Sequence, residues 1–139
     1  MSAILGLDFG TVRIGLAICE GSGLPAVPLT TLERHGFAHD LDAIVRIAKE
    51  RAADTIVVGY PVRLDGARGP AADRVDRFIE ELRSRFEGTV ARQDERLTTA
   101  AAHKKLRDLD VSGSKRRKHV DELAAVEILN VYLAIAQRK

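Results

Sequence analysis

Residues 55–60 (TIVVGY) form an unbroken, largely β-branched run in which apolar residues do not alternate with polar ones. Such a run predicts a strand covered on both faces, as in the parallel part of a sheet that carries helices above and below. The rest of the chain must supply those layers. Residues 3–9 (AILGLDF) and 13–19 (RIGLAIC) are short apolar runs separated by Gly10-Thr11-Val12, the pattern of two antiparallel strands joined by a tight turn. In the second run Ile14, Leu16 and Ile18 alternate with Arg13, Gly15, Ala17 and Cys19, so one face is bulky and the other small. A close-packed neighbour is expected on the small face. Val27, Leu29 and Leu32 suggest a third strand, which Pro25 and Pro28 assign to a sheet edge.

From Asp40 the spacing becomes helical. Leu41, Ile44, Val45, Ala48 and Ala52 share one face, with Asp40 as the expected N-cap. A second amphipathic helix carries Val75, Ile79, Leu82 and Phe86, with Gly88 as its stop signal, and a short strand at 89–93 ends at Asp94-Glu95. Residues 98–109 read as a further helix, and VSGSKRRKH at 111–119 as an interruption of small and basic residues. The last helix, 120–137, is apolar over most of its circumference and is expected to lie buried on the sheet. The order β-β-β-α-β-α-β-α-α predicts an α/β fold. Its five-stranded mixed sheet has three antiparallel strands followed by parallel β/α units, with helices on both faces.

At 139 residues the chain fits one domain, 1–139. With 45% hydrophobic and 30% charged residues it has the composition of a soluble globular protein, and no stretch reaches the roughly 20 apolar residues that span a bilayer. MSAILGLDFG lacks the features of a targeting signal, and the single cysteine, Cys19, agrees with a reducing compartment, so the cytoplasm is the expected location. Cys19 lies in an apolar strand and reads as a core residue. The net charge of +2 does not itself call for a polyanion, but Lys115, Arg116, Arg117 and Lys118 form a continuous basic run. Such a run can neutralise phosphates, and its plain alternative is a solvated loop.

Three acidic positions stand out. Asp8 lies near the end of an apolar strand, where a carboxylate needs a compensating cation or hydrogen bonds; the turn amides of Gly10 and Thr11 are the simple alternative. Asp121 is expected in the first turn of the last helix, where capping would explain it. Asp94 and Glu95 close a strand and point to opposite faces, and parity leaves open which of them joins Asp8. Together these acids suit a phosphodiesterase that uses two Mg²⁺ or Mn²⁺ ions about 3.5–4 Å apart, which require hard oxygen ligands. The four histidines show no zinc-binding spacing, and no Walker A or G-x-S-x-G sequence is present.

GLDFGTVRIGLAI at 6–18, IVVGYP with LDG at 56–66, DERLTT at 94–99 and VDELAAVEIL at 120–129 together resemble the YqgF family, whose members are described as Holliday-junction resolvases and as nucleases of the 5′ end of precursor 16S ribosomal RNA. The resemblance implies an RNase H-like fold and places the catalytic, metal-binding acids at Asp8, Glu95 and Asp121, choosing Glu95 over Asp94. It further implies that Asp8 bridges two ions while Glu95 and Asp121 each complete one coordination sphere. In-line attack by water would then leave 5′-phosphate and 3′-hydroxyl ends. Arg13, Arg96 and Lys115, Arg116, Arg117 and Lys118 become candidates for substrate phosphates, on branched DNA or precursor ribosomal RNA, and a junction cutter is expected to be a homodimer. The chain departs from relatives at Val12, Arg63 and Ala101. Ala124 fills the place of a frequent fourth carboxylate, leaving Asp94 or Glu122 as substitutes.

Two other functions compete. LGLDFGT also resembles the phosphate loop of actin-like ATPases and sugar kinases, but those proteins enclose nucleotide between two such domains. A nucleic-acid- or ribosome-binding module without cleavage is the other alternative.

Overall fold

The computed structural model describes residues 2–61, 69–95 and 114–136, with backbone only for 114–119. Its described elements are β1 (Ala3–Phe9), β2 (Arg13–Cys19), β3 (Val27–Glu33), α1 (Phe37–Glu50), β4 (Ala53–Tyr60), α2 (Pro70–Arg85), β5 (Thr89–Asp94) and α3 (Ser114–Ala136). The strands form one sheet in the order β3-β2-β1-β4-β5. β1 pairs antiparallel with β2 and parallel with β4, β2 pairs antiparallel with β3, and β4 pairs parallel with β5. This is the expected mixed five-stranded sheet, with the Pro28-containing β3 at one edge.

Period-two alternation divides the sheet into two faces. Leu5, Leu7, Phe9, Ile14, Leu16, Ile18, Ile56, Val58 and Tyr60 form one core with residues of α1 and α2, including Leu41, Ile44, Val75, Phe78 and Leu82. On the opposite face Ile4, Ala17, Cys19 and Val57 pack against Ala124, Ala125, Ile128 and Leu129 of α3. The absence of alternation in TIVVGY is thereby explained: Ile56 and Val58 enter the first core, and Val57 enters the second. Burying each large apolar side chain contributes roughly 1.5–3 kcal/mol, and both cores draw on β1 and β4.

The small face of β2 is the seat of α3. A Cβ on Gly15 would collide with the backbone carbonyl of Asp121, and one on Gly6 would stand 3.0 Å from both the Ala125 carbonyl oxygen and Leu129 Cβ. Glycine at these points lets helix backbone approach strand backbone directly. Cys19 is buried, its thiol near the carbonyl oxygens of Gly21 at 3.3 Å and Leu24 at 3.4 Å, as suits a core cysteine.

Three local expectations are corrected. α1 begins at Phe37, so Asp40 lies inside its first turn and Gly36 is the N-cap. The buried Asp40 reaches back instead, accepting hydrogen bonds from the His35 backbone N–H at 3.0 Å and Arg34 Nε at 3.1 Å. At the end of α2 the chain leaves in extended form at Phe86 (φ −107°, ψ 128°), without a left-handed glycine cap. Gly88 serves close packing, because a Cβ there would strike the Asp54 carbonyl oxygen. The largest change concerns α3, which starts at Ser114 rather than 120. Lys and Arg are good helix formers, so the basic run continues the helix instead of interrupting it. The helix expected at 98–109 lies outside the described residues.

Candidate functional site

The longer α3 changes what Asp121 is. It lies about two turns into the helix, beyond the first turn in which capping and the macrodipole act. Its buried position must be accounted for by its neighbours. β2 supplies one of them: Arg13, on the same face as Gly15 and Ala17, donates from Nε to Asp121 Oδ2 at 2.8 Å. The arginine side chain is 13% exposed and the aspartate side chain 1%. A mostly buried guanidinium compensates a carboxylate that burial would otherwise penalise by several kcal/mol.

Asp8 reaches the same region from the sheet. It pairs with Gly15 across β1 and β2, the residue over which the Asp121 backbone passes. Two positions before it, Gly6 faces α3, so alternation directs Asp8 to the α3 face as well. Asp8 is 1% exposed.

The register of β4 and β5 decides between the adjacent acids. Gly59 pairs with Gln93 and Tyr60 with Asp94. Tyr60 belongs to the core beneath α1 and α2, so Asp94 takes that side. Glu95 follows the parity of Gln93 and Gly59, and a Cβ on Gly59 would stand 2.9 Å from Glu95 Oε1 and also press on Ile128 of α3. Glu95 is 4% exposed. Asp8, Glu95 and Asp121 thus stand on one face of the sheet, where the C-terminal ends of β1 and β5 meet α3.

Of the two substitutes for a fourth carboxylate, Asp94 lies on the other face. Glu122 accepts a hydrogen bond from Thr31 Oγ1 of β3 at 3.0 Å. The Thr31–Glu122 and Arg13–Asp121 contacts together fasten consecutive residues of α3 to neighbouring strands, over Gly15, which itself pairs with Thr31. Sequence patterning did not reveal these two contacts. The glycines were visible as breaks in strand composition, and a glycine within a strand is the signal of close backbone approach.

Three carboxylates offer the hard oxygen donors that Mg²⁺ and Mn²⁺ prefer, so the donor chemistry fits such ions. Among the described residues, however, no group of three or more His, Cys, Asp or Glu side chains is arranged to hold a metal ion as it stands. One oxygen of Asp121 is already engaged by Arg13. Arg96 lies outside the described residues, and Lys115, Arg116, Arg117 and Lys118 are described only as helical backbone in the turns of α3 preceding Asp121. Arg63 and Ala101 also lie outside the described residues, while Val12 is exposed at the turn between β1 and β2.

The other buried carboxylate outside this group, Asp40, is held by Arg34. The Arg34 guanidinium stacks 4.4 Å from the Phe9 ring centroid and donates to the Gly10 carbonyl oxygen at 3.4 Å. This arrangement braces the turn that follows Asp8. No described helix is long and apolar enough to cross a membrane.

Comparison with known proteins bears on the family and the fold. Residues 2–135 match the family model described as "RuvX: Holliday junction resolvase". A protein of Clostridium perfringens (strain SM101 / Type A) is 41% identical over 94% of this chain and 95% of its own length. One from Syntrophus aciditrophicus (strain SB) is 44% identical over 98% of this chain and 91% of its own length. Both carry the name "Putative pre-16S rRNA nuclease". Among solved structures, Thermus thermophilus RuvC in complex with a Holliday junction substrate aligns over 96% of each chain with a TM-score of 0.60 at 11% identity, a likeness of fold. The fold is RNase H-like, as the YqgF resemblance implies, and the chain belongs to the RuvX family, which is also called YqgF.

Proposed function

We propose that this chain is a nuclease that hydrolyses phosphodiester bonds in precursor 16S ribosomal RNA, with Asp8, Glu95 and Asp121 as its ion-binding acids. The observation that carries this reading is the burial of three carboxylates on one face of the sheet, at strand ends covered by α3. Buried acids are costly to a fold unless cations or hydrogen bonds compensate them, and three together are ill explained by capping once Asp121 lies two turns inside its helix. The names of relatives at 41% and 44% identity favour the RNA substrate.

Mg²⁺ or Mn²⁺, as a pair of ions, would be held by the three acids and when bound would supply Lewis acidity toward the phosphate and activation of water. The chain's own residues do the positioning. Asp8 stands on the central strand between the other two acids, Glu95 is set by the close approach of Gly59, and Arg13 orients Asp121. Arg96 and the basic residues 115–118 are proposed to meet substrate phosphates, and the protein is proposed to work in the cytoplasm.

A second reading, resolution of four-way DNA junctions, is favoured by the description of the matching family. Two symmetric cuts call for a homodimer, whereas trimming an RNA end does not. A precursor 16S RNA fragment and a four-way DNA junction should be incubated in parallel with the full chain, with Mn²⁺ or with a chelator, and the mass in solution measured. Ion-dependent cutting of the RNA by a monomer is the expected result. Cutting of the junction alone by a dimer would transfer the assignment to DNA, and binding without cutting of either substrate would reduce the chain to a binding module.

A further inference from the structure

Arg13 opens β2 on the face that carries Gly15, and its Nε lies 2.8 Å from Asp121 Oδ2. Both side chains are largely withdrawn from solvent, at 13% and 1% exposure, so the pair interacts through a medium that screens it far less than water. Asp121 is beyond reach of the α3 macrodipole, so its charged neighbour is the Arg13 guanidinium. The sheet thus provides a fixed positive charge against one of the three acids. A divalent ion that uses Asp121 must bind beside that charge, at a carboxylate with one oxygen already in a hydrogen bond.

We propose that Arg13 is a positioning residue with two linked effects: it holds the Asp121 carboxylate against β2, and it keeps the acids' affinity for divalent ions low. The inference rests on the reading of Asp8, Glu95 and Asp121 as ion-binding acids. It differs from a direct role for Arg13 on substrate phosphate, because its effect is felt by the ions in the absence of any nucleic acid.

The test is calorimetric titration of the full chain with MnCl₂ alone, together with thermal melting, for the wild type and Arg13→Gln, Arg13→Lys and Asp8→Asn. Removing a unit charge a few ångströms from the acids should tighten Mn²⁺ binding on the order of tenfold in Arg13→Gln. That variant should also melt below the wild type without Mn²⁺ and gain more from its addition. Arg13→Lys retains the charge, so its Mn²⁺ affinity should stay within about threefold of wild type, while its cleavage rate at saturating Mn²⁺ falls because the planar donor is lost. If Arg13→Gln is too unstable to titrate, the lysine variant decides alone: tenfold tightening, or an unchanged saturated rate, overturns the proposal.

Unchanged or weaker Mn²⁺ binding by Arg13→Gln overturns it as well. Asp8→Asn separates this failure from failure of the ion-site reading. If Mn²⁺ binds the wild type and is lost in Asp8→Asn, the site stands and only the role of Arg13 fails. If the wild type takes up no Mn²⁺, or Asp8→Asn binds it unchanged, the ion-site reading fails and this inference with it.

Discussion

Gly15 of β2 lies so close beneath Asp121 of α3 that a single methyl group on the glycine would collide with the aspartate's backbone carbonyl. The same glycine pairs with Asp8 across the sheet. One residue without a side chain therefore sets how near two of the three buried acids come. Gly15→Ala should force α3 outward, costing about 1–3 kcal/mol as overpacking does, and lowering the melting temperature by several degrees. Cleavage should fall more than the folded fraction does, because the displacement begins at Asp121. Equal melting temperatures and rates for variant and wild type would contradict this placement of α3.

Gly59 does for Glu95 what Gly15 does for Asp121, but against a side chain. An added Cβ would stand 2.9 Å from Oε1 and 3.2 Å from Cγ of Glu95. Side chains yield more easily than backbone, so Gly59→Ala should cost less stability than Gly15→Ala while still displacing the carboxylate. The expected result is a drop in cleavage of about tenfold or more, consistent with the sensitivity of catalysis to small misplacements. Circular dichroism melting and a single-turnover rate measure the two effects separately.

Much of this site could be read from the chain before its fold was known, and the limits have physical causes. Strand alternation and helical spacing located the sheet and the small face of β2, because burial imposes those periods directly on residues such as Ile14, Gly15, Leu16 and Ala17. Parity could not choose between Asp94 and Glu95, since that choice depends on the β4–β5 register, a long-range property. The YqgF resemblance chose Glu95, and the pairing of Tyr60 with Asp94 puts Glu95 on the α3 face. The start of α3 is hidden in the sequence because Gly113 and Ser114 with a basic run look like a loop locally, although Lys and Arg sustain a helix well. A helix starting at 120 would make Asp121 a capping residue, whereas one starting at Ser114 does not. The Arg13–Asp121 bond joins residues 108 positions apart, and no local pattern encodes such a contact.

The basic residues 115–118 belong to the helical turns before Asp121. Replacing all four with glutamine preserves helix propensity and removes charge, so the fold should persist while nucleic-acid binding weakens. Each lost phosphate contact should flatten the dependence of log K on log salt by about 0.7 on a single strand or 0.9 on a duplex. Fluorescence anisotropy at several salt concentrations measures that slope. An identical slope for the variant would show that this run is solvated and meets no phosphate.

The central claim concerns Asp8, whose carboxylate lies on the middle strand of the sheet at 1% exposure. Asp8→Asn conserves its size and removes its charge. The most direct measurement is the rate of Mn²⁺-dependent cleavage of a precursor 16S RNA fragment by this variant, alongside its affinity for the same RNA. The account predicts a rate reduced by about a thousandfold or more, within the range enzymes lose with a principal electrostatic group, and RNA affinity within a few-fold of wild type. Cleavage by Asp8→Asn at the wild-type rate would contradict it.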